Sequence, residues 1–215
     1  GFQSLKRRYY SLEGFLEHPF DGRWYGKVDY VFSRSYGNTE GQLRSDLQQT
    51  AASTSEDWDN SYIMENTNGP TNNDHTHQLK LFGYYQLTPE WLVSANLSLT
   101  SGSPKICLGY YGPDFSDPGK YGGSYHYCDG VASPPGKQGR LPWVRQLDLG
   151  TTYRPAFADG KLSFTASVFN VFNEQRPLNR YPYSQTDPGV PDPQYGQAVV
   201  RQVPRYVRLG VSYDY

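Results

Sequence analysis

Stretches of about ten residues in which every second side chain is apolar recur along this chain, and that period is the signature of a strand with two unlike faces. In "WYGKVDYVF", Trp24, Gly26, Val28, Tyr30 and Phe32 share one face, and Tyr25, Lys27, Asp29 and Val31 the other. "QLKLFGYYQL" sets Leu79, Leu81, Gly83, Tyr85 and Leu87 against Lys80, Phe82, Tyr84 and Gln86. "WLVSANLSLT" sets Trp91, Val93, Ala95, Leu97 and Leu99 against Ser94, Asn96, Ser98 and Thr100. "RQLDLGTTY" does the same with Leu147, Leu149, Thr151 and Tyr153 against Gln146, Asp148 and Gly150. "KLSFTASVFNVF" opposes Leu162, Phe164, Ala166 and Val168 to Ser163, Thr165 and Ser167. A weaker alternation covers Arg8 to Glu17, and "VRLGVSYDY" carries Val207, Leu209, Val211, Tyr213 and Tyr215 on its apolar side. These stretches predict about seven strands and an all-β fold.

The connections alternate in length. His18 to Gly22, Thr88 to Glu90 and Arg154 to Gly160 are short, whereas about 36–77, 101–142 and 173–203 are long and polar. Long loops are uncommon inside compact soluble domains. Three of them, all at one end of successive hairpins, are the layout of an antiparallel transmembrane β-barrel with short periplasmic turns and long extracellular loops. The aromatic residues agree. Trp24, Trp91, Tyr153, Tyr213 and Tyr215 share the apolar parity and the short-turn end, as a girdle at one bilayer interface requires. Trp143, Phe32 and Phe172 are candidates for the opposite girdle.

Composition narrows the classes. Only 36% of the chain is hydrophobic, yet 16% is aromatic and 20 residues are Tyr, which excludes a disordered chain and favours strands. Twenty basic residues balance 21 acidic ones with no basic block, so nothing points to nucleic acid. The opposite faces of the strands are mildly polar, which suits a wet lumen lined by Lys27, Asp29, Lys80, Gln86, Asn96, Asp148 and Arg208. Backbone left unpaired in hydrocarbon is costly, so the strands require closure into a ring. Seven strands do not complete a barrel of even number. The chain is therefore expected to be, over 1–215, the C-terminal portion of a larger barrel, with Gly1 a cut point.

The final alternation resembles the C-terminal assembly signal of bacterial outer-membrane barrels, carried by Val207, Leu209, Val211, Tyr213 and Tyr215. "SVFNVFNEQRP" resembles an element on the penultimate strand of TonB-dependent outer-membrane receptors. "GKVDYVFSRSYGNTEGQLRSD", "HQLKLFGYYQLTPEWLVSANLSLTSGSP" and "PRYVRLGVSYDY" resemble the Oar-like subgroup of that family. The resemblance implies a 22-stranded barrel in the outer membrane of a Gram-negative bacterium, built by the barrel assembly machinery. It also implies a plug domain and energy from TonB through an N-terminal part. The plug and the N-terminal strands are expected to lie outside 1–215.

Other residues bear on chemistry. Cys107 and Cys128 flank one predicted loop, and their even count fits a disulfide in an oxidising compartment. The loop between them carries Tyr110, Tyr111, Phe115, Tyr121, Tyr125 and Tyr127, rings able to stack on a sugar or clamp a peptide, or simply to pack over the barrel mouth. His75 and His77, the Glu56 to Asn60 carboxylates and the Asp114 to Gly119 turn have metal-ligating atoms but no completed ligand pattern, so no metal is expected. Asn170 and Asn173 are expected to satisfy backbone groups at the outer interface. No nucleophile elbow or phosphate-binding loop is present, so no enzyme and no cofactor is expected. The leading functional expectation is a receptor wall for uptake of an unidentified ligand, with outer-membrane lipid as its partner. The alternatives are a passive pore or adhesive barrel without TonB coupling, a closed barrel of eight strands with one hidden between Thr39 and Asn73, and a soluble sandwich.

Overall fold

The computed structural model describes residues 1–52 and 55–214. Seven strands form its main sheet: β1 (Arg7–His18), β2 (Trp24–Gly37), β3 (His77–Gln86), β4 (Trp91–Thr100), β5 (Val144–Tyr153), β6 (Leu162–Phe169) and β7 (Tyr206–Tyr213). They pair antiparallel in chain order, and the short Gly69–Pro70 segment adds to the outer end of β2. The sheet is not closed: among the described residues, β1 and β7 each have one unpaired edge. Ten residues at about 3.3 Å each, tilted by about 45°, cover roughly 23 Å, close to the roughly 25 Å apolar band of a membrane barrel.

Register carries the alternation from strand to strand. Leu16 opposes Val28, Val28 opposes Leu81, Leu81 opposes Leu97 and Leu97 opposes Leu147. A lower row on the same face runs through Trp24, Tyr85, Val93, Thr151, Ala166 and Leu209. A slip of one residue at any pair would turn a whole strand inside out, so the continuity of these rows fixes one apolar face across the wall. Among the described residues nothing covers that face: Phe164 is 42% and Leu209 76% exposed. The predicted aromatic girdle forms at the short-turn end, where Trp91 stacks on Tyr153 at 4.6 Å and Tyr153 on Phe164 at 6.4 Å. At the other end His77 gathers Phe32 at 5.5 Å and Trp143 at 5.8 Å. Tyr215, the last residue of the expected assembly signal, lies outside the described residues.

The buried apolar side chains, Ile63, Met64, Cys107, Leu108, Tyr125 and Leu141, all belong to the long connections and none to the wall. A soluble sheet would have buried one of its own faces. Here the wall has no protein core, and the three long connections pack together into an ordered cap. Small hairpins within it pair Tyr127–Cys128 with Val131–Ala132, Gln185–Asp187 with Val190–Pro191, and Pro177–Arg180 with Ala198–Arg201.

One predicted strand ends early. The alternation runs to Phe172, but β6 stops at Phe169 because Asn170 and Asn173 take left-handed backbone, φ 51° and 52°. Asn is among the few residues that tolerate that conformation. The bend leaves the Val171 N–H to reach the Leu147 carbonyl at 2.8 Å and puts the Asn170 N–H on the Asp148 carboxylate at 2.9 Å.

Candidate functional site

The cap is held from its ends inward. At its base Asn170 is 1% exposed, and its Nδ2 donates to the carbonyls of Glu174 and Val203, both at 2.8 Å. Its Oδ1 accepts the Glu174 N–H at 3.2 Å, and Asn173 Oδ1 accepts the Arg205 N–H at 2.9 Å. Both Asn side chains thus tie the third long connection (170–205) to itself where it leaves and re-enters the wall. Asp74, also 1% exposed, accepts the Ser35 N–H at 2.6 Å and forms an ion pair with Arg140. That pair joins the first connection (38–76) to the second (101–143).

Cys107 and Cys128 are bonded, as expected from an even count within one loop. Inside the loop they close, Tyr125 has no exposed surface. Its hydroxyl donates to Asp117 at 2.6 Å and accepts the Gly119 N–H at 2.8 Å. Burial and that carboxylate push the phenol up to about 12. The hydroxyls of Tyr111 and Tyr127 both donate to Glu65, at 2.7 and 3.3 Å, and their rings lie 4.9 Å apart. The hydrogen bond to Glu65 holds the Tyr111 phenol well above its usual range. Tyr111, Tyr125 and Tyr127 are therefore engaged within the cap by their hydroxyls, and Tyr121 also meets the Asp59 carboxylate through its hydroxyl. Tyr110, Phe115 and Tyr121 are half-buried at its surface.

A buried ionic group lies beneath. Arg44 donates to both oxygens of Asp46, at 2.8 Å through Nη2 and 3.3 Å through Nε, and its Nε lies 3.2 Å from Asp57 as an ion pair; all three side chains are nearly inaccessible. Burial alone would raise the Asp46 carboxyl, but the guanidinium more than offsets it and holds Asp46 low. Burial dominates at Asp57, which is raised. His126 closes the group from the second connection. It is 4% exposed, its Nδ1 has no hydrogen-bond partner, and burial beside Arg44 lowers it to about 4. The alternation of the strands carries no trace of this group, since its members lie in aperiodic stretches joined only by the folded cap.

The residues expected to line a lumen share the face opposite the apolar rows. Asp29 opposes Lys80, Lys27 opposes Phe82, Phe82 opposes Asn96, Asn96 opposes Asp148, and Ser167 opposes Arg208. Lys27 and Asp29 pair at 3.1 Å, Arg208 sits 5.3 Å from the Phe169 ring, and Gln86 Nε2 donates into the Thr88 turn at 2.8 Å. The same face carries an aromatic group, with Tyr84 stacked 5.2 Å from Tyr25 and tilted against Phe20 at 5.7 Å. Of the two histidines considered for metal, His75 Nδ1 meets the Ser101 carbonyl at 2.7 Å and His77 Nδ1 meets the Tyr30 hydroxyl at 2.8 Å.

A single-layer wall of antiparallel strands, greasy on one face and polar on the other, with short turns at one end and a cap at the other, defines a segment of an outer-membrane β-barrel. No protein-family model matches the chain. It is 30% identical over 177 residues to the TonB-dependent transporter Oar of Myxococcus xanthus, a match covering 81% of this chain and 16% of that relative. The fold is similar to the outer membrane transporter YddB from Escherichia coli, with TM-score 0.61 and 12% identity over 98% of this chain and 26% of that one. It is also similar to the ferric-catecholate import receptor Fiu of the same organism, with TM-score 0.55 and 15% identity over 98% of this chain and 21% of that one. The chain belongs to the TonB-dependent outer-membrane receptors, in their Oar-like branch, and its place is the outer membrane of a Gram-negative bacterium.

Proposed function

We propose that this chain is the C-terminal part of the barrel of a TonB-dependent transporter that imports a ligand from outside the cell. The reading is carried by the similarity to Oar over 81% of the chain. A wall whose polar face bears Lys27, Asp29, Lys80, Gln86, Asn96, Asp148 and Arg208 would meet the plug or border the ligand's path. The aromatic group of Tyr25, Tyr84 and Phe20 gives that plug an apolar foothold. The cap would present Tyr110, Phe115 and Tyr121 to arriving ligand, since binding residues concentrate on loops held by a rigid scaffold. Val207, Leu209, Val211 and Tyr213 would serve recognition by the assembly machinery, and the role is transport rather than catalysis.

The test uses the full-length protein in a planar bilayer. A barrel that conducts little until its plug is unfolded by urea agrees with energised import. A steady open channel without denaturant means a passive pore.

A further inference from the structure

All three long connections meet around one cavity of about 210 Å³. Ile106 and the buried Leu141 give it an apolar wall, Tyr181 and Tyr195 bring two aromatic rings, and Lys105 and Arg180 bring two positive charges. The only acidic side chain lining it is Asp46, and both oxygens of that carboxylate already accept from Arg44. Neither Lys105 nor Arg180 has a carboxylate partner among the described residues, which carry seven ion pairs of other groups. The cavity therefore carries two cationic side chains without a direct carboxylate partner, beside an Asp46 already paired with Arg44 and an Asp192 engaged by Tyr181.

The backbone that carries these groups is fixed. Lys105 donates its N–H to the Gly139 carbonyl at 2.9 Å and accepts from Gly136 at 3.1 Å. Tyr181 is held across its hairpin by Gln197 at 2.9 Å and Gly196 at 3.0 Å. Arg180 Nη1 donates to the Gly196 carbonyl at 2.6 Å, which orients the guanidinium and leaves its other donors for a ligand. Asn179 ties this hairpin to the carbonyls of Ser45 and Asp46 at 3.4 and 3.3 Å, closing the third connection against the first.

We propose that this cavity is a binding site for a carboxylate, carried on a small organic acid or on the end of a larger ligand. A guanidinium fork matches a planar carboxylate, the ammonium of Lys105 supplies a second positive contact, and the tyrosine rings accept a flat body beside it. The volume is below the roughly 300 Å³ at which pockets for drug-sized molecules begin, so one acid group and a ring-sized body fill it. The assignment rests on the import reading for its purpose and adds the class of ligand to it. These residues were not visible as a group in the sequence, because they come from three connections far apart along the chain.

The experiment is fluorine NMR on the full-length protein in detergent, with 4-fluorobenzoate as the probe and 4-fluorobenzamide as its neutral counterpart. Saturable broadening of the acid but not the amide is expected. Lys105→Met and Arg180→Met should each weaken the acid about tenfold, the size of one charge-assisted hydrogen bond. Both residues are at least partly exposed, and intact protease resistance of the cap confirms that the variants fold. Equal binding of acid and amide, no binding of the acid, or unchanged binding in both variants overturns the proposal. Charge-dependent binding in a protein that conducts as an open pore would keep this site and reject energised import, so the two failures are distinct.

Discussion

Acid should loosen the cap through His126. Closed, the ring is buried beside Arg44 and stays neutral down to about pH 4; opened to water, it returns to its ordinary 6.5. Below 6.5 the open cap binds a proton that the closed cap refuses. The closed form is therefore fully favoured above about pH 6.5, loses stability as pH falls towards 4, and loses no more below it. Two and a half units at about 1.4 kcal/mol each give about 3 kcal/mol in all, and about 2 kcal/mol, or thirtyfold in opening, by pH 5. Asp57 acts in the opposite sense, because a carboxyl raised by burial favours the closed form as it takes up its proton. Asp46, held low by Arg44, stays ionised at pH 5. The His126→Asn variant isolates the histidine. Hydrogen exchange of the peptide spanning 107–133, corrected for intrinsic rates, reads the opening in full-length protein; the Ser133 N–H, bonded to the His126 carbonyl at 2.8 Å, is a direct reporter. Equal opening at pH 7.5 and 5, or the same pH dependence in the Asn variant, refutes the reasoning.

Reducing the Cys107–Cys128 bond, which closes a separation of 21 residues, should destabilise the cap by about 3 kcal/mol and expose that segment to protease without unfolding the wall. Asn170→Ala removes three buried hydrogen bonds and places a Cβ-bearing residue without a polar side chain at φ 51°, so urea titration in vesicles should find a loss of roughly 2–4 kcal/mol. Gly102→Ala would set a Cβ against the Leu141 backbone carbonyl, which has no freedom to move aside. It should raise hydrogen exchange in the segments 101–104 and 139–142 while exchange in β6 and β7 stays unchanged.

The wall was legible because its physics is local. A period of two, apolar parity and aromatic residues at the strand ends are all written within ten-residue windows, and partners such as Trp91 and Tyr153 lie where that parity puts them. Even the weak alternation of Arg8 to Glu17 falls within β1. The end of β6 was not legible, since an Asn within a strand pattern does not announce a left-handed turn. The cap was not legible either. Its core joins Ile63, Leu108 and Leu141 from stretches with no period, and its ionic group joins Arg44 to His126 across more than half of one connection and most of the next. What read as long polar loops is a packed unit because its apolar residues are few and scattered yet converge. The tyrosines of the disulfide loop stand out in the sequence as a group, but their type alone does not tell a fully buried strut such as Tyr125 from a half-buried ring such as Tyr121.

The central claim is that the rows through Leu81, Leu97 and Leu147 face lipid while Asn96 and Asp148 face away from it. Bimane attached at Leu97→Cys or Asn96→Cys, in full-length protein reconstituted with nitroxide-labelled lipid, tests it directly. Strong quenching is expected at position 97 and little at position 96; equal quenching, or the reverse order, would overturn this orientation of the wall.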